Sequence, residues 1–351
     1  MNAGGILVVG IALACFVLLA GCIFMQPSQA DGQAGKTEVR IGYFPNILHG
    51  QALVGRAQGT FRDAMGPEAT VTMVPFNAGP SAIEALFAGE VDIIYVGPNP
   101  AINGYIKSNG EALSIIAGAA SGGAVLVVRN DSGINATADF AGKKVASPQL
   151  GNTQDVALRS YLINAGLRIG DGPGEVRVIP TANPDILSLF QKKEIDGAWV
   201  PEPWGARLLQ EGGGRIYLDE RDLWPEGRFT TADVVASKKF MAAHPDLVRR
   251  FLVAHVELTQ WINAHPKDAK ALMNEQIKNL TSAALPESEM DDAFSRCAIT
   301  YDPVRSSLVK SADDAYALGF LGEQKSDLSG IYNLTILNGV LREKGLTEIP
   351  E

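Results

Sequence analysis

From Val39 to Val200, short apolar runs alternate with segments of helical period, and this restricts the fold more than any other feature of the chain. Strands are predicted over 39–44, 71–76, 91–96, 124–128, 144–146, 176–179 and 197–200. Helices are predicted over 51–61, 81–88, 153–165 and 184–191, where residues such as Ile83, Leu86 and Phe87 share a face. This order gives an α/β protein with mostly parallel sheets and helices between the strands. Beyond Ala232 the pattern turns helical, over 245–264, 266–279, 287–298 and 313–321. Two of these helices begin alike, at His244-Pro245 and His265-Pro266. Proline suits a first helical turn, so both histidines are read as helix-start residues and His255 as structural.

At 351 residues the chain has room for about two domains. Its 39 acidic and 30 basic side chains leave a net charge of −9, which argues against a nucleic-acid surface. Three cysteines cannot support a disulfide framework. No charged residue precedes Asp31, residues 6–25 are nearly all apolar, and 26–35 are small or polar. The N-terminus is therefore expected to be an address outside the fold, with 1–22 a signal segment and 23–36 a tether. Leu19-Ala20-Gly21-Cys22 resembles a bacterial lipobox, which would make Cys22 the lipidated first residue of the mature chain. An uncleaved membrane helix is the other reading, since about 20 apolar residues can span a bilayer. No Lys or Arg precedes the run, unlike most signal peptides. Both readings place the rest outside the cytoplasm, in the periplasm or at the cell surface, held to a membrane. Cys297 is expected to be a small core residue.

Six loops beside the predicted strands have a common character. They read Pro45-Asn46-Ile47-Leu48-His49-Gly50, Asn77-Ala78-Gly79-Pro80-Ser81, Gly97-Pro98-Asn99-Pro100, Ser121-Gly122-Gly123, Gly151-Asn152-Thr153-Gln154 and Pro201-Glu202-Pro203-Trp204. Most lead straight into a helix. Ligands of open α/β sheets bind beyond the carboxyl ends of the strands, where helix N-termini offer free N–H groups and partial positive charge. Ser81 and Thr153 taken singly also suit simple helix capping. Six such loops together point to a composite pocket for a small anion. No metal-ligand cluster, P-loop or nucleophile elbow occurs, so no catalytic residue, metal or cofactor is expected.

Several ordered motifs resemble the solute-binding proteins of ABC importers for aliphatic sulfonates, taurine and nitrate. They are Ile41-Gly42-Tyr43-Phe44, the stretch from Ala82 through Gly89-Glu90-Val91-Asp92, Gly151-Asn152-Thr153 leading into Leu158-Arg159-Ser160-Tyr161-Leu162, and Asp196-Gly197-Ala198-Trp199-Val200-Pro201-Glu202-Pro203-Trp204. The resemblance implies a type II periplasmic-binding-protein fold. Its two three-layer α/β/α lobes, 37–123 plus 232–351 and 124–231, would be joined by a hinge, with the ligand in the cleft. It also implies that Asn46, His49, Gly79, Pro80, Ser81, Pro98, Asn99, Ser121, Gly122 and Gly123 face the cleft from the first lobe or hinge. Asn152, Thr153, Glu202 and Trp204 would face it from the second. The implied partners are a sulfonate-like anion and an ABC permease with its ATPase, the chain itself being monomeric. Gly151-Asn152-Thr153, where the nitrate branch places histidine or lysine, disfavours nitrate. A neutral thiamine-type pyrimidine or other aromatic is the alternative ligand. The same fold also serves pyrimidine-forming and menaquinone-pathway enzymes, so an enzyme is the rival class.

Overall fold

A computed structural model describes residues 36–350. The apolar segment with Cys15 and Cys22, and all of the tether except Lys36, lie outside the described residues. Among those described, no helix is long and apolar enough to cross a membrane.

Two sheets organise the chain. The first contains β1 (Thr37–Tyr43), β2 (Ala69–Pro75), β3 (Ile93–Val96), β4 (Leu113–Gly122), β10 (Thr230–Ser237) and β11 (Cys297–Ile299), in the order β11-β4-β10-β3-β1-β2. The second contains β5 (Ala124–Arg129), β6 (Lys144–Ser147), β7 (Arg177–Pro180), β8 (Gly197–Pro201) and β9 (Gly214–Asp219), in the order β7-β6-β8-β5-β9. Both sheets are mixed, which corrects the expectation of mostly parallel ones. β1 runs parallel to β2 and β3, and β6 to β7 and β8. The strands that carry the chain between sheets pair antiparallel: β10 with β3 and β4, β5 with β8 and β9. Only Gly123 separates β4 from β5, so the chain passes directly from one sheet to the other. Gly122 and Gly123 both take left-handed backbone, φ 72° and 74°, which glycine adopts without a Cβ clash. The return crossing, from β9 to β10, passes through two 3₁₀ turns, Glu220–Leu223 and Pro225–Gly227.

Helices cover both faces of each sheet. In the first, alternate strand residues separate the two cores. Ile93 and Tyr95 pack with Leu53, Phe61, Phe251 and Leu252, while Ile94 and Val96 pack with Ile83, Ile102 and Leu308. In the second, Val125 and Val200 meet Ile186 and Phe190, and Leu126 and Trp199 meet Phe140 and Leu162. His255 is buried in the first core, bonded through Nδ1 to Tyr95 Oη at 2.9 Å and through Nε2 to Gly118 O at 2.8 Å. The late helical region departs from the expectation in two places. Helix Glu287–Ser295 stops before Cys297, which is in β11, and the next helix is Arg305–Ala317.

Candidate functional site

A cavity of about 30 Å³ lies between the two sheets, at the carboxyl ends of their parallel strands. Phe44, Asn46, Leu48 and His49 follow β1, Asn77 and Ala78 follow β2, and Gly97 follows β3. From the second sheet come Asn152, Thr153 and Gln154 after β6, Asn183 after β7, and Pro201 at the end of β8. Thr231 of β10 completes the lining. Four helices start here: Gly79–Ala88, Pro98–Lys107, Thr153–Asn164 and Asn183–Gln191. None has a side-chain cap on its first turn; their N-cap residues are Ala78, Gly97, Asn152 and Ala182. The first N–H groups of a helix have no partner within it, so these termini present donors and partial positive charge to the cavity. The donors are unequal. Pro80, Pro98, Pro100 and Pro184 carry no N–H, whereas Thr153 and Gln154 both do.

No lining residue carries a formal charge. His49 is the one titratable side chain among them, and burial lowers its pKa to about 3, so the ring is neutral. Its Nδ1 accepts the Phe44 backbone N–H at 2.9 Å, which puts the ring proton on Nε2 and leaves that atom as a donor. Phe44 stacks on the ring at 4.5 Å. Two lining polar atoms are buried without a protein partner, Thr153 Oγ1 and Asn183 Oδ1. Gly97 lets the two sides approach, because a Cβ there would meet Thr153 Oγ1.

The NMT1-like family matches residues 32–277. The chain belongs to that family. It is 28% identical over 259 residues to the taurine-binding periplasmic protein of Escherichia coli K12, covering 74% of this chain and 77% of the relative. Among solved structures, the periplasmic aliphatic sulphonate binding protein SsuA of Escherichia coli superposes with a TM-score of 0.67 at 23% identity, over 84% of this chain and 92% of that one. The periplasmic nitrate-binding protein NrtA of Synechocystis gives 0.71 at 14% identity, over 88% and 89%. These likenesses show the fold, that of two-lobed periplasmic binding proteins.

In this NMT1-like protein, Asn46, His49, Asn152 and Thr153 line the same cavity. Asn46 spends its Oδ1 on the Leu48 N–H at 3.1 Å. The other expected residues lie elsewhere. Gly79 packs against Pro100, Pro80 lines an outer groove, and Ser81 Oγ donates to Ala78 O at 2.9 Å. Pro98 is buried outside the lining, and Asn99 Nδ2 donates to Ser311 O at 3.2 Å. Ser121 and Gly122 line a separate cavity of about 630 Å³ beside Arg221, Arg296 and Cys297. The Gly123 carbonyl accepts the Glu202 N–H at 2.8 Å.

Glu202 and Trp204 are corrections. The Glu202 carboxylate is fully buried away from the cavity, accepts Arg296 Nε at 2.5 Å and holds the Ala206 N–H at 3.0 Å. Burial pushes its pKa up and the Arg296 charge works against that rise. For Arg296, burial opposes the charge, but Asp292 and Glu202 overcome it and raise its pKa. Trp204 packs on the core of the second sheet, under the Arg207 guanidinium at 4.8 Å. Cys297 is half-buried, with its thiol pKa pushed well up by burial. Phe44, Asn183 and Thr231 lie outside the expected loops, while Leu48, Asn77, Ala78, Gly97, Gln154 and Pro201 fall in those loops without being expected contacts. Asn183 had a usable signal: Ala182-Asn183-Pro184 joins a predicted strand to a predicted helix, as Ala78-Gly79-Pro80 does.

Proposed function

We propose that this chain is the solute-binding component of an ABC importer, capturing a small anion, an aliphatic sulfonate, between two lobes and delivering it to a permease and its ATPase. The observation that carries the reading is the charge-free cavity where helix starts from both sheets meet two unpartnered polar side chains. An anion fits because its charge can be met by helix termini, each contributing about 0.3–1 kcal/mol, and by neutral donors whose bonds to a charged group are worth about 1.5–3 kcal/mol. A few of each reach the roughly 8 kcal/mol of a micromolar complex. Relatives named as taurine-binding and sulfonate-binding support the same class. The lining offers no nucleophile with a base beside it, which favours capture over chemistry. A cavity of about 30 Å³ favours a compact head group over a whole pyrimidine ring. We assign 37–123 plus 232–351 to one lobe and 124–231 to the other, with closure about the Gly122–Gly123 and 220–229 crossings. In this reading the chain works as a monomer outside the cytoplasm, held at the membrane through Cys22 or an uncleaved N-terminal helix.

A thermal-shift screen of alkanesulfonates, taurine, sulfate and nitrate tests this. Ligand at a hundred times Kd adds about 2.7 kcal/mol, a rise in Tm of about 4 °C for a fold of this length. No shift with any of them refutes the ligand class.

A further inference from the structure

We infer that the cavity between helices Thr153–Asn164 and Arg305–Ala317 is a second ligand site, which takes a small organic cation with an apolar body and holds the two sheets together when filled. It measures about 230 Å³ and shares no lining residue with the cavity at the helix starts. Its walls come from three parts of the chain. Ala157 and Tyr161 belong to the first helix, which packs on the second sheet through Leu158 and Leu162. Lys310 and Asp314 belong to the other, which packs on the first sheet through Leu308 and Ala312. Glu220, Leu223 and Trp224 belong to the return crossing.

The chemistry of the walls sets the ligand class. Glu220 is 3% exposed, and its carboxyl accepts bonds from Trp199 Nε1 at 2.7 Å and Trp224 Nε1 at 3.4 Å. Among the described residues, none brings an ammonium or guanidinium within ion-pair distance of it. Burying a carboxylate without a cation is costly, so this carboxyl keeps its proton up to about pH 7. A ligand cation removes that cost. Lys310 is already committed: its Nζ donates to Asp314 at 2.6 Å and lies over the Trp224 ring at 5.2 Å. That contact shows that this wall accepts a cation. With Glu220 ionised, the lining holds two carboxylates against one ammonium, so one further positive charge balances it. Ser160 and Asn164 bond to each other at 3.2 Å. The remaining wall is apolar: Ala157, the Tyr161 ring, and Leu223, which is 43% exposed. The first helix also joins the two cavities. Thr153 opens it at the anion cavity, and Ala157 lies one turn on, about 6 Å along the axis. If the two sides part to admit the anion, a cation held by both sides shifts the balance to closure and tightens the anion. That link rests on the proposed function; the site itself does not.

Calorimetric titration with phenethylammonium tests the site, at about pH 8, where Glu220 has lost its proton and a primary ammonium keeps its own. Phenethylammonium should bind about tenfold more tightly than neutral phenethyl alcohol, the value of a bond to a charged group. Glu220→Gln should remove that advantage and leave binding of the alcohol unchanged. Leu223→Ser should weaken both probes alike, about fourfold or more. Saturating phenethylammonium should also tighten the best sulfonate of the screen about fivefold, and Glu220→Gln should abolish the gain. Three results overturn the site: no saturable binding of the amine, equal affinity for amine and alcohol, or parent-like amine binding in Glu220→Gln. An unchanged sulfonate Kd overturns the link to closure. Failure of every sulfonate to bind overturns the proposed function, while the direct titration of the amine still decides the site.

Discussion

Replacing Glu202 by leucine should destabilise the fold and leave ligand affinity almost untouched. The carboxylate is fully buried and serves two partners, Arg296 Nε at 2.5 Å and the Ala206 N–H at 3.0 Å. Removing one member of a buried ion pair costs about 3–5 kcal/mol, because the other charge is stranded. Arg296 keeps two bonds to Asp292, both at 2.7 Å, so its charge stays partly met and the lower end applies. With about 2.1 cal/mol/K of unfolding entropy per residue, a loss of about 3 kcal/mol lowers Tm by about 5 °C. Scanning calorimetry measures that loss, and titration with the best ligand of the screen measures affinity. Kd should stay within about threefold, since Glu202 does not line the cavity. The reverse pattern, Tm within about 1 °C of the parent and Kd weakened tenfold or more, would show that the carboxylate faces the ligand and refute the ion-pair account.

Other outcomes follow from the cavity and the buried acids. Thr153→Val should weaken anion binding about tenfold to a hundredfold, the value of a hydrogen bond to a charged group. It should leave Tm nearly unchanged, because Oγ1 has no protein partner to lose; a fall in Tm with unchanged Kd would contradict this. Anion affinity should be flat from about pH 6.5 to 8.5. The His49 pKa of about 3, even raised by the usual 1–3 units beside an anion, stays at or below about 6. A tenfold weakening per pH unit in that window would mean that a cationic His49 is required. Glu220 is buried, which raises its pKa to about 7 against the donated Trp199 Nε1 bond at 2.7 Å. Its folded carboxyl keeps a proton that the unfolded chain releases near pH 4.5, so stability falls by about 3 kcal/mol as pH rises from 4.5 to 7 and is level above that. Glu220→Gln should gain in Tm relative to the parent across that window; a constant difference at every pH would refute the assignment.

The parallel strands and the loops that follow them were legible in the sequence because their signals are local. Ile41-Gly42-Tyr43 and Ile93-Ile94-Tyr95-Val96 are buried on both faces and read as continuous apolar runs. What was not legible depends on distant partners. β10 opens Thr230-Thr231-Ala232-Asp233, too polar to suggest a buried strand, yet Asp233 is fully buried and accepts the Thr230 hydroxyl at 2.9 Å. The helical period through Arg296 is real, since its guanidinium bonds Asp292 four residues earlier. Cys297 nevertheless becomes strand by pairing with β4. Glu202 sits in a loop with every outward sign of a pocket, and its carboxylate turns inward to Arg296, 94 residues away, and to the Ala206 N–H. The cavity residues themselves were half legible. Thr153 stands where a strand–helix pattern puts a ligand, but Thr231 reaches the site from a strand that the pattern did not reveal.

If the two lobes close on a ligand as proposed, the two orphaned atoms make closure depend on it. Closing over nothing buries Thr153 Oγ1 and Asn183 Oδ1 without partners, at about 1–3 kcal/mol each. Together that is about 2–6 kcal/mol against the closed arrangement, a bias of roughly thirtyfold or more toward opening. A ligand that satisfies both atoms removes the penalty and adds its own contacts to both sides, so its differential affinity for the closed state is the sum of the two. Gly97 is what permits the approach, since a side chain there would meet Thr153 before the ligand was enclosed. The hinge contributes no such discrimination. Glu202 and Arg296 join the two sheets beside the Gly123 crossing, and their contact does not involve the cavity. In the proposed reading, ligand-dependent closure rests on a glycine and two unpaired polar groups at the cavity, and the net charge of −9 does not enter. Exposed charges more than about 8 Å away are largely screened at physiological salt, which leaves the neutral donors and helix starts to select the anion.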